Sequence, residues 1–323
     1  MIKRAFHRFS LFIAAITVAG AALAQYPAKP VRIVVPYPPG GTSDILARLI
    51  GAKLTDSLGQ PFPVENRPGA SGVIGSQAVA KAAPDGYTLL LGNASTHGVN
   101  SAIQKSLPYD AIKDFSPITV VGGTPNVILV HPDIAAKSLA ELLALARSKP
   151  GRLNFGSTSL GGTPHMSAEL LKMMTGVDIV HVPYKGAGPM LADLIGGQVQ
   201  IGFDNLPSST GHIRSGKVRA LAVTTPKRWP GSPEIPTVAE SGVPGYEVSG
   251  WFGLLAPGGT PRPVVDTLYR ATSAALKLPE TQKQMLELGA EPGGNAPDDF
   301  ARQIAAEIEK WKKVVAATGV KVE

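Results

Sequence analysis

Two periods alternate along the chain. Short β-branched or leucine-rich runs, the mark of buried strands, give way to stretches with apolar residues three and four apart, the mark of helices. Strand-like runs fall at residues 31–35, 62–65, 88–91, 153–157, 179–182, 199–203 and 219–224. Helical spacing follows at 45–58, 72–83, 139–146, 166–174 and 189–195. Three helices close the chain, at about 263–276, 279–288 and 297–317. Residues 115–130 read as two runs, ITVV and NVILV, around Gly122-Gly123-Thr124-Pro125, and serve as the first crossing between lobes. EVSGWFGLL, from Glu247, is the return crossing. In the last helix Phe300, Ile304, Ile308, Trp311 and Val315 form an apolar stripe that packs against the first lobe. The predicted plan is two α/β lobes with a ligand between them: residues 25–125 with 248–323 as lobe one, and 126–247 inserted as lobe two.

The first 24 residues stand outside that plan. Lys3, Arg4 and Arg8 precede an apolar run at 11–22 that is too short to span a bilayer comfortably, and Ala22-Leu23-Ala24 is a small-residue cleavage site. This reads as a secretory signal peptide, with Gln25 as the first mature residue and the periplasm or the exterior as destination. No cysteine occurs anywhere, which excludes disulfides, thiolate metal sites, a lipoprotein anchor and a cysteine nucleophile. The formal charge of +7 includes three basic residues of that segment, which leaves +4 for the mature chain. The excess points weakly to anionic small ligands. No basic run interleaved with aromatics suggests nucleic acid.

The stretch VRIVVPYPPGGTSDILAR carries the densest signal. A buried strand ends in a Pro/Gly turn, and Thr42 or Ser43 then caps a helix with Asp44 in its first turn. The orphan N–H groups of such a first turn, together with the helix dipole, make a place to hold an anion. Gly40 and Gly41 let a ligand approach the backbone closely. An ordinary βα turn is the competing reading. A second copy tips the balance: Gly161-Gly162-Thr163 also lies between a strand and a helix, with Pro164 suited to the first turn. Gly-Gly-Thr recurs at Gly122 and Gly258, so the context rather than the tripeptide does the sorting. Asn93 and Ser95, beyond the C-terminal end of a strand, are candidate donors, unless that turn is bonded to itself. Asp204, at another strand end, is placed to accept from a ligand amine or hydroxyl, or else to cap the turn that follows.

Catalytic and cofactor motifs are missing. Gly211 to Lys217 imitates a P-loop, but Val218 stands where Ser or Thr is required and a strand follows. Gly186-Ala187-Gly188 lacks the third glycine of a dinucleotide fingerprint. No G-x-S-x-G elbow occurs, and the histidines do not form a metal motif. His165 and Glu169, four apart, read as a helix-surface pair. Trp251 is a cleft aromatic or a packing residue of the hinge. No cofactor and no metal are expected.

Taken together, VPYPPGGTSDILAR, NRPGASG, PDGYTLL, NFGSTSLGGTPHMSAELL, VPYKGAGPMLADLIGGQVQIGFDN and GWFGLLAPGGTP resemble the Bug, or TctC-like, extracytoplasmic solute-binding receptors of tripartite tricarboxylate transporters, in order and over the whole mature chain. The resemblance implies a two-lobed type II periplasmic binding fold with two mixed sheets flanked by helices. It implies that loops 37–44 and 157–165 grip a ligand carboxylate, partly through ordered water, and that the ligand passes to a membrane permease driven by an ion gradient. Carried onto this sequence, Gly41, Thr42 and Asp44 hold the ligand from lobe one, with Gly40 beside them and Tyr37 against its body. Ser157, Thr158, Gly162 and Thr163, with Gly161 and His165 in the same loop, hold it from lobe two. Asp204 becomes the specificity position. The expected protein is a monomeric, non-enzymatic receptor for a mono- or dicarboxylate. A sensor feeding a signalling partner, or a secreted hydrolase, are the competing readings.

Overall fold

The structure is a computed structural model that describes residues 26–104 and 106–318. The predicted signal segment and its cleavage point lie outside these residues. The chain opens with β1 (Arg32–Val35), α1 (Thr42–Leu58), β2 (Val64–Asn66), α2 (Val73–Ala80), β3 (Thr88–Asn93) and the short α3 (Asn100–Ile103). The long β4 (Phe115–Val130) leads to α4 (Leu139–Ser148), β5 (Asn154–Ser157), α5 (Thr163–Thr175), β6 (Val180–Pro183), α6 (Ala187–Ile195), β7 (Ile201–Asn205), α7 (Leu206–Arg214) and β8 (Arg219–Val223). It ends with β9 (Ser249–Pro257), α8 (Arg262–Lys277), α9 (Pro279–Leu288), β10 (Glu291–Pro292) and α10 (Pro297–Thr318).

The strands run in the order β2-β1-β3-β9-β4-β7-β5-β6, two mixed half-sheets that meet at β4. In the first half β1 pairs parallel with β2 and β3. In the second, β5 pairs parallel with β6 and β7. Antiparallel β9 and β4 close the inner edges. The inner strands β1, β3 and β9 are largely apolar and buried because both faces are covered, whereas the edge strands β2 and β6 are only partly buried. Ile33, Val35, Leu89 and Leu91 face the core under α1, while Val34 and Leu90 face the opposite core with Leu255. Local signals set the helix ends. Gly59 terminates α1 in the left-handed region at φ 69, its N–H returning to Thr55. The Ser138 hydroxyl accepts the Glu141 N–H at 3.2 Å to start α4.

Three expectations need correction. Residues 115–130 are one continuous strand, not two. The Gly-Gly-Thr-Pro run stays extended because its backbone pairs with β9 and β10, and the irregularities are absorbed by register shifts near Pro117 and Val120. The partners of β4 change along its length: β9 from Phe115 to Pro125, then β7 from Asn126 to Val130. Second, α10 does not serve the first lobe alone. Phe300, Ile304 and Ile308 pack with Leu90 and Leu255, but Trp311 joins the core containing Phe155, Phe203 and Ile128. Third, α7 and α3 carry no apolar stripe legible in the sequence, and α6 begins at Ala187, two residues ahead of Pro189.

A methyl group on Gly253 of β9 would overlap the ring of the buried Phe300. Gly253→Ala is therefore expected to destabilise the fold by about 1–3 kcal/mol through overpacking, measured by chemical denaturation.

Candidate functional site

A narrow cleft, open to solvent, lies where the two half-sheets face each other. Four helices direct their N-termini at it: α1 through Gly41 and Thr42, α5 through Thr163 and Pro164, α6 through Gly186 and Ala187, and α7 through Asn205. In none of the four does the residue before the helix cap it with its side chain, and three of those residues are glycines. Apart from the Thr163 N–H, which donates to Ser95 Oγ at 3.3 Å, the first-turn N–H groups keep their orphan character, and each dipole end adds roughly half a positive charge. Among the described residues no lysine or arginine lines the cleft, and Asp204 is its only carboxylate. Hydroxyls of Tyr37, Thr42, Ser43, Ser95, Thr158 and Ser159 ring the same space. The arrangement suits a small anion held by hydrogen bonds rather than by an ion pair.

The structure brings Tyr37, Gly41, Thr42, Asn93, Ser95, Thr158, Thr163 and Asp204 together around the cleft. Asn93 combines both readings of its turn. Its Oδ1 accepts the N–H groups of Ser95 and Thr96 at 3.1 and 3.0 Å and the Tyr37 hydroxyl at 3.3 Å. Its amide N–H donors have no such partner. Burial pushes Tyr37 up to about 12, so it remains a donor.

The other candidates belong to the same loops but do not line the cleft. The Asp44 carboxylate turns back to accept the Gly40 N–H, the Arg48 guanidinium and Asn66 Nδ2, all at 3.0 Å. Burial raises its pKa, but these hydrogen bonds prevail and hold it below the usual range. It shapes the turn at Gly40, which sits at φ 82. Ser157 is fully buried and lies 2.7 Å from His181 Nε2. Gly162 provides the extended residue before α5. Gly161, at φ 71, donates its N–H to His165 Nδ1 at 3.0 Å. His165 braces the loop from behind, stacked on His181 at 4.1 Å.

Several cleft residues were passed over in the sequence. Gly186 and Ala187 open a helix after a strand, the same context as the other two glycine turns, but without a Gly-Gly-Thr run to mark them as ligand-facing. Asn205 was hidden because Ser208 and Ser209 disguise α7. Trp251 does both jobs. It lines the cleft, and its ring also packs edge-on against Phe300 at 5.2 Å and donates to Glu307 at 3.3 Å.

Residues 46–320 match the family described as the tripartite tricarboxylate transporter family receptor. The chain belongs to that family. The receptor is 41% identical over 315 residues to protein BugT of Bordetella pertussis, covering 97% of each chain. It superposes with a TM-score of 0.90 on the R. palustris protein Rpa4515 solved with adipate, at 44% identity over 92% of this chain and 99% of that one. MatC from Rhodopseudomonas palustris with bound malate gives 0.85 at 37% identity, over 90% and 100%. The fold is thus the two-lobed one of the periplasmic solute-binding proteins.

In the receptor, Asp204 is fully buried, and burial pushes its carboxyl up to about 6 against hydrogen bonds from Ser209, Ser208 and the Asn205 N–H at 2.6, 2.7 and 2.8 Å. Burial, aided by the Lys172 charge, holds His165 down at about 4. Burial and then His165 hold His181 at about 3. Both imidazoles are neutral near pH 7, which leaves His165 Nδ1 free to accept.

Two outcomes follow for the receptor. An acid whose folded pKa lies above its unfolded value binds its proton more tightly when folded. The contribution of Asp204 to stability therefore falls as pH rises from about 4 to about 6. In calorimetry at pH 4.5, 5.5 and 7, the melting temperature of wild type minus that of Asp204→Asn should decrease with pH; a constant difference would refute the ionisation. The His165 brace is read by hydrogen exchange. His165→Ala should speed exchange of the Gly161 amide by about five-fold or more, while His165→Asn, whose Oδ1 replaces Nδ1, should keep it protected.

Proposed function

We infer that this protein is a periplasmic receptor that captures a small organic acid between its lobes and delivers it to the permease of a tripartite tricarboxylate-type transporter. The observation that carries this reading is the convergence of four uncapped helix N-termini on a cleft without lysine or arginine. Adipate in Rpa4515 and malate in MatC support a carboxylate as the ligand. On this reading Thr42, Asn93, Ser95, Thr158 and Thr163 donate to the ligand, the amides beside Gly41 take part, and Tyr37 lies along its body. Asp44, Ser157, Gly161 and His165 hold the donors in place. Asp204 stands at the end that distinguishes one ligand from another. Residues 25–125 with 248–323 form one lobe and 126–247 the other, and the N-terminal signal directs export and is then cleaved after Ala24.

The lobes already touch across the cleft. The Thr42 and Ser208 hydroxyls are 3.2 Å apart, the Thr163 N–H donates to Ser95 Oγ at 3.3 Å, and the Ser71 hydroxyl donates to the Leu160 carbonyl at 2.8 Å. These bonds describe a closed form, and an opening that breaks them admits the ligand. A hydrolase reading has one observation in its favour, the close Ser157–His181 pair. That pair lies outside the cleft lining, with Ser157 wholly buried and His181 stacked between Phe155 and His165. It offers no face to a substrate.

A ligand that binds only the folded state at one hundred times its Kd adds about 2.7 kcal/mol of stability. A thermal-shift screen of organic acids against their amides should therefore show shifts for acids alone, and X-ray scattering should show the radius of gyration shrinking with the same acids. Equal shifts from acids and amides would refute a carboxylate receptor.

A further inference from the structure

The last helix joins the two lobes behind the cleft. Most of α10 packs on the first lobe, where Phe300, Ile304 and Ile308 share a core with Leu90, Leu255 and Trp251. Near its end Trp311 is seated instead in the core of Phe155 and Phe203, and it is buried there to 2% exposure. Glu307 stands between the two. Its Oε1 accepts the Trp311 indole N–H at 2.6 Å, and its Oε2 accepts the Trp251 indole N–H at 3.3 Å. The half-exposed Lys310 ammonium lies 3.8 Å from Oε1. One carboxylate thus serves an indole from each core.

This bridge lies against the cleft wall. Trp251 and Ala94 both line the cleft, and the Trp251 carbonyl accepts the Ala94 N–H at 3.2 Å. The turn Ser95–Val99 then rests on the bridge: a methyl group on Gly98 would come within 2.7 Å of Glu307 Cγ and 3.2 Å of Trp311 Cδ1. The turn begins at Ser95, whose hydroxyl accepts the Thr163 N–H from across the cleft, and ends at Val99, which shares the core of Trp311.

An indole N–H is a donor alone, and a buried one without an acceptor is costly. Trp311 can therefore sit in the second core only with Glu307 beside it. Once the lobes part, the ring leaves that core with the rest of α10, and water takes the N–H. The acceptor matters in the closed form and not in the open one. We propose that Glu307 is a positioning residue for ligand capture, acting through Trp311 to hold the receptor towards closure. The proposal rests on the reading that the lobes part to admit ligand.

Hydrogen exchange on the receptor alone tests this. The Thr163 amide reports parting of the lobes. The buried Ile33 amide, bonded to the Pro63 carbonyl at 2.9 Å, reports global unfolding. Glu307→Leu should speed Thr163 exchange about ten-fold more than Ile33 exchange, and Glu307→Gln, whose amide oxygen still takes the Trp311 N–H, should restore most of the protection. In a Trp311→Phe background, with no N–H to satisfy, adding Glu307→Leu should change the ratio less than about two-fold. Trp311→Phe alone, with less ring to bury, should also favour Thr163 exchange, which covers the case of a Glu307→Leu chain that does not fold. In NMR spectra Glu307→Gln should move the indole N–H signals of Trp251 and Trp311 and leave that of Trp229, whose partner is the Leu286 carbonyl. Equal acceleration at Thr163 and Ile33, unmoved indole signals, or a full Glu307→Leu effect without the indole would each refute the role of Glu307. If Thr163 in wild type exchanges no faster than Ile33, the lobes do not part, and the capture reading falls with it.

Discussion

The site depends on hydrogen bonds that the helices leave unmade. A helix N-terminus normally meets a capping side chain, and around this cleft four of them do not. Their amides, except the Thr163 N–H bonded to Ser95 Oγ, stay available to a guest, and the adjoining glycines keep side-chain bulk away from the approach. A site of this kind favours negative charge without a fixed cation, so it needs no counter-charge when empty. Asp204 shows the cost of the opposite choice. It takes three donors from the start of α7, yet burial still drives it towards its neutral form.

Holding four helix ends at one point is a task for the sheets. Each of these helices follows a strand through a short turn, so the half-sheets fix where the turns lie. The hidden polar pairs then fix how each turn faces. Arg48, Asn66 and the Gly40 amide lock Asp44 behind one loop, and His165 locks Gly161 behind the other. The two loops therefore use one design: a buried polar group behind, bare backbone in front.

That design explains what could be read from the sequence. Loops 37–44 and 157–165 were legible as anion-binding turns, because strand, glycine and helix start follow one another in a few residues. The direction of each side chain within them was not. Asp44 turns away because of Asn66, and Ser157 because of His181, partners 22 and 24 residues distant that no local pattern reveals. The same limit applies to β4. Glycines and a proline read locally as a break, and only pairing with β9 and β10, more than a hundred residues later, keeps the strand whole.

Those late partners bear on how the molecule comes into being. Within the first lobe, β3 finds its neighbour β9 only after residue 249, and the face of Leu90 is covered by Phe300 and Ile304 of α10. A chain that emerges from its N-terminus onward has made all of the second lobe before the first can be sealed. Contacts of such long sequence separation form late and slow the search for the native state. The first half-sheet therefore cannot be completed until the C-terminal quarter of the chain, β9 and α10, is available to it.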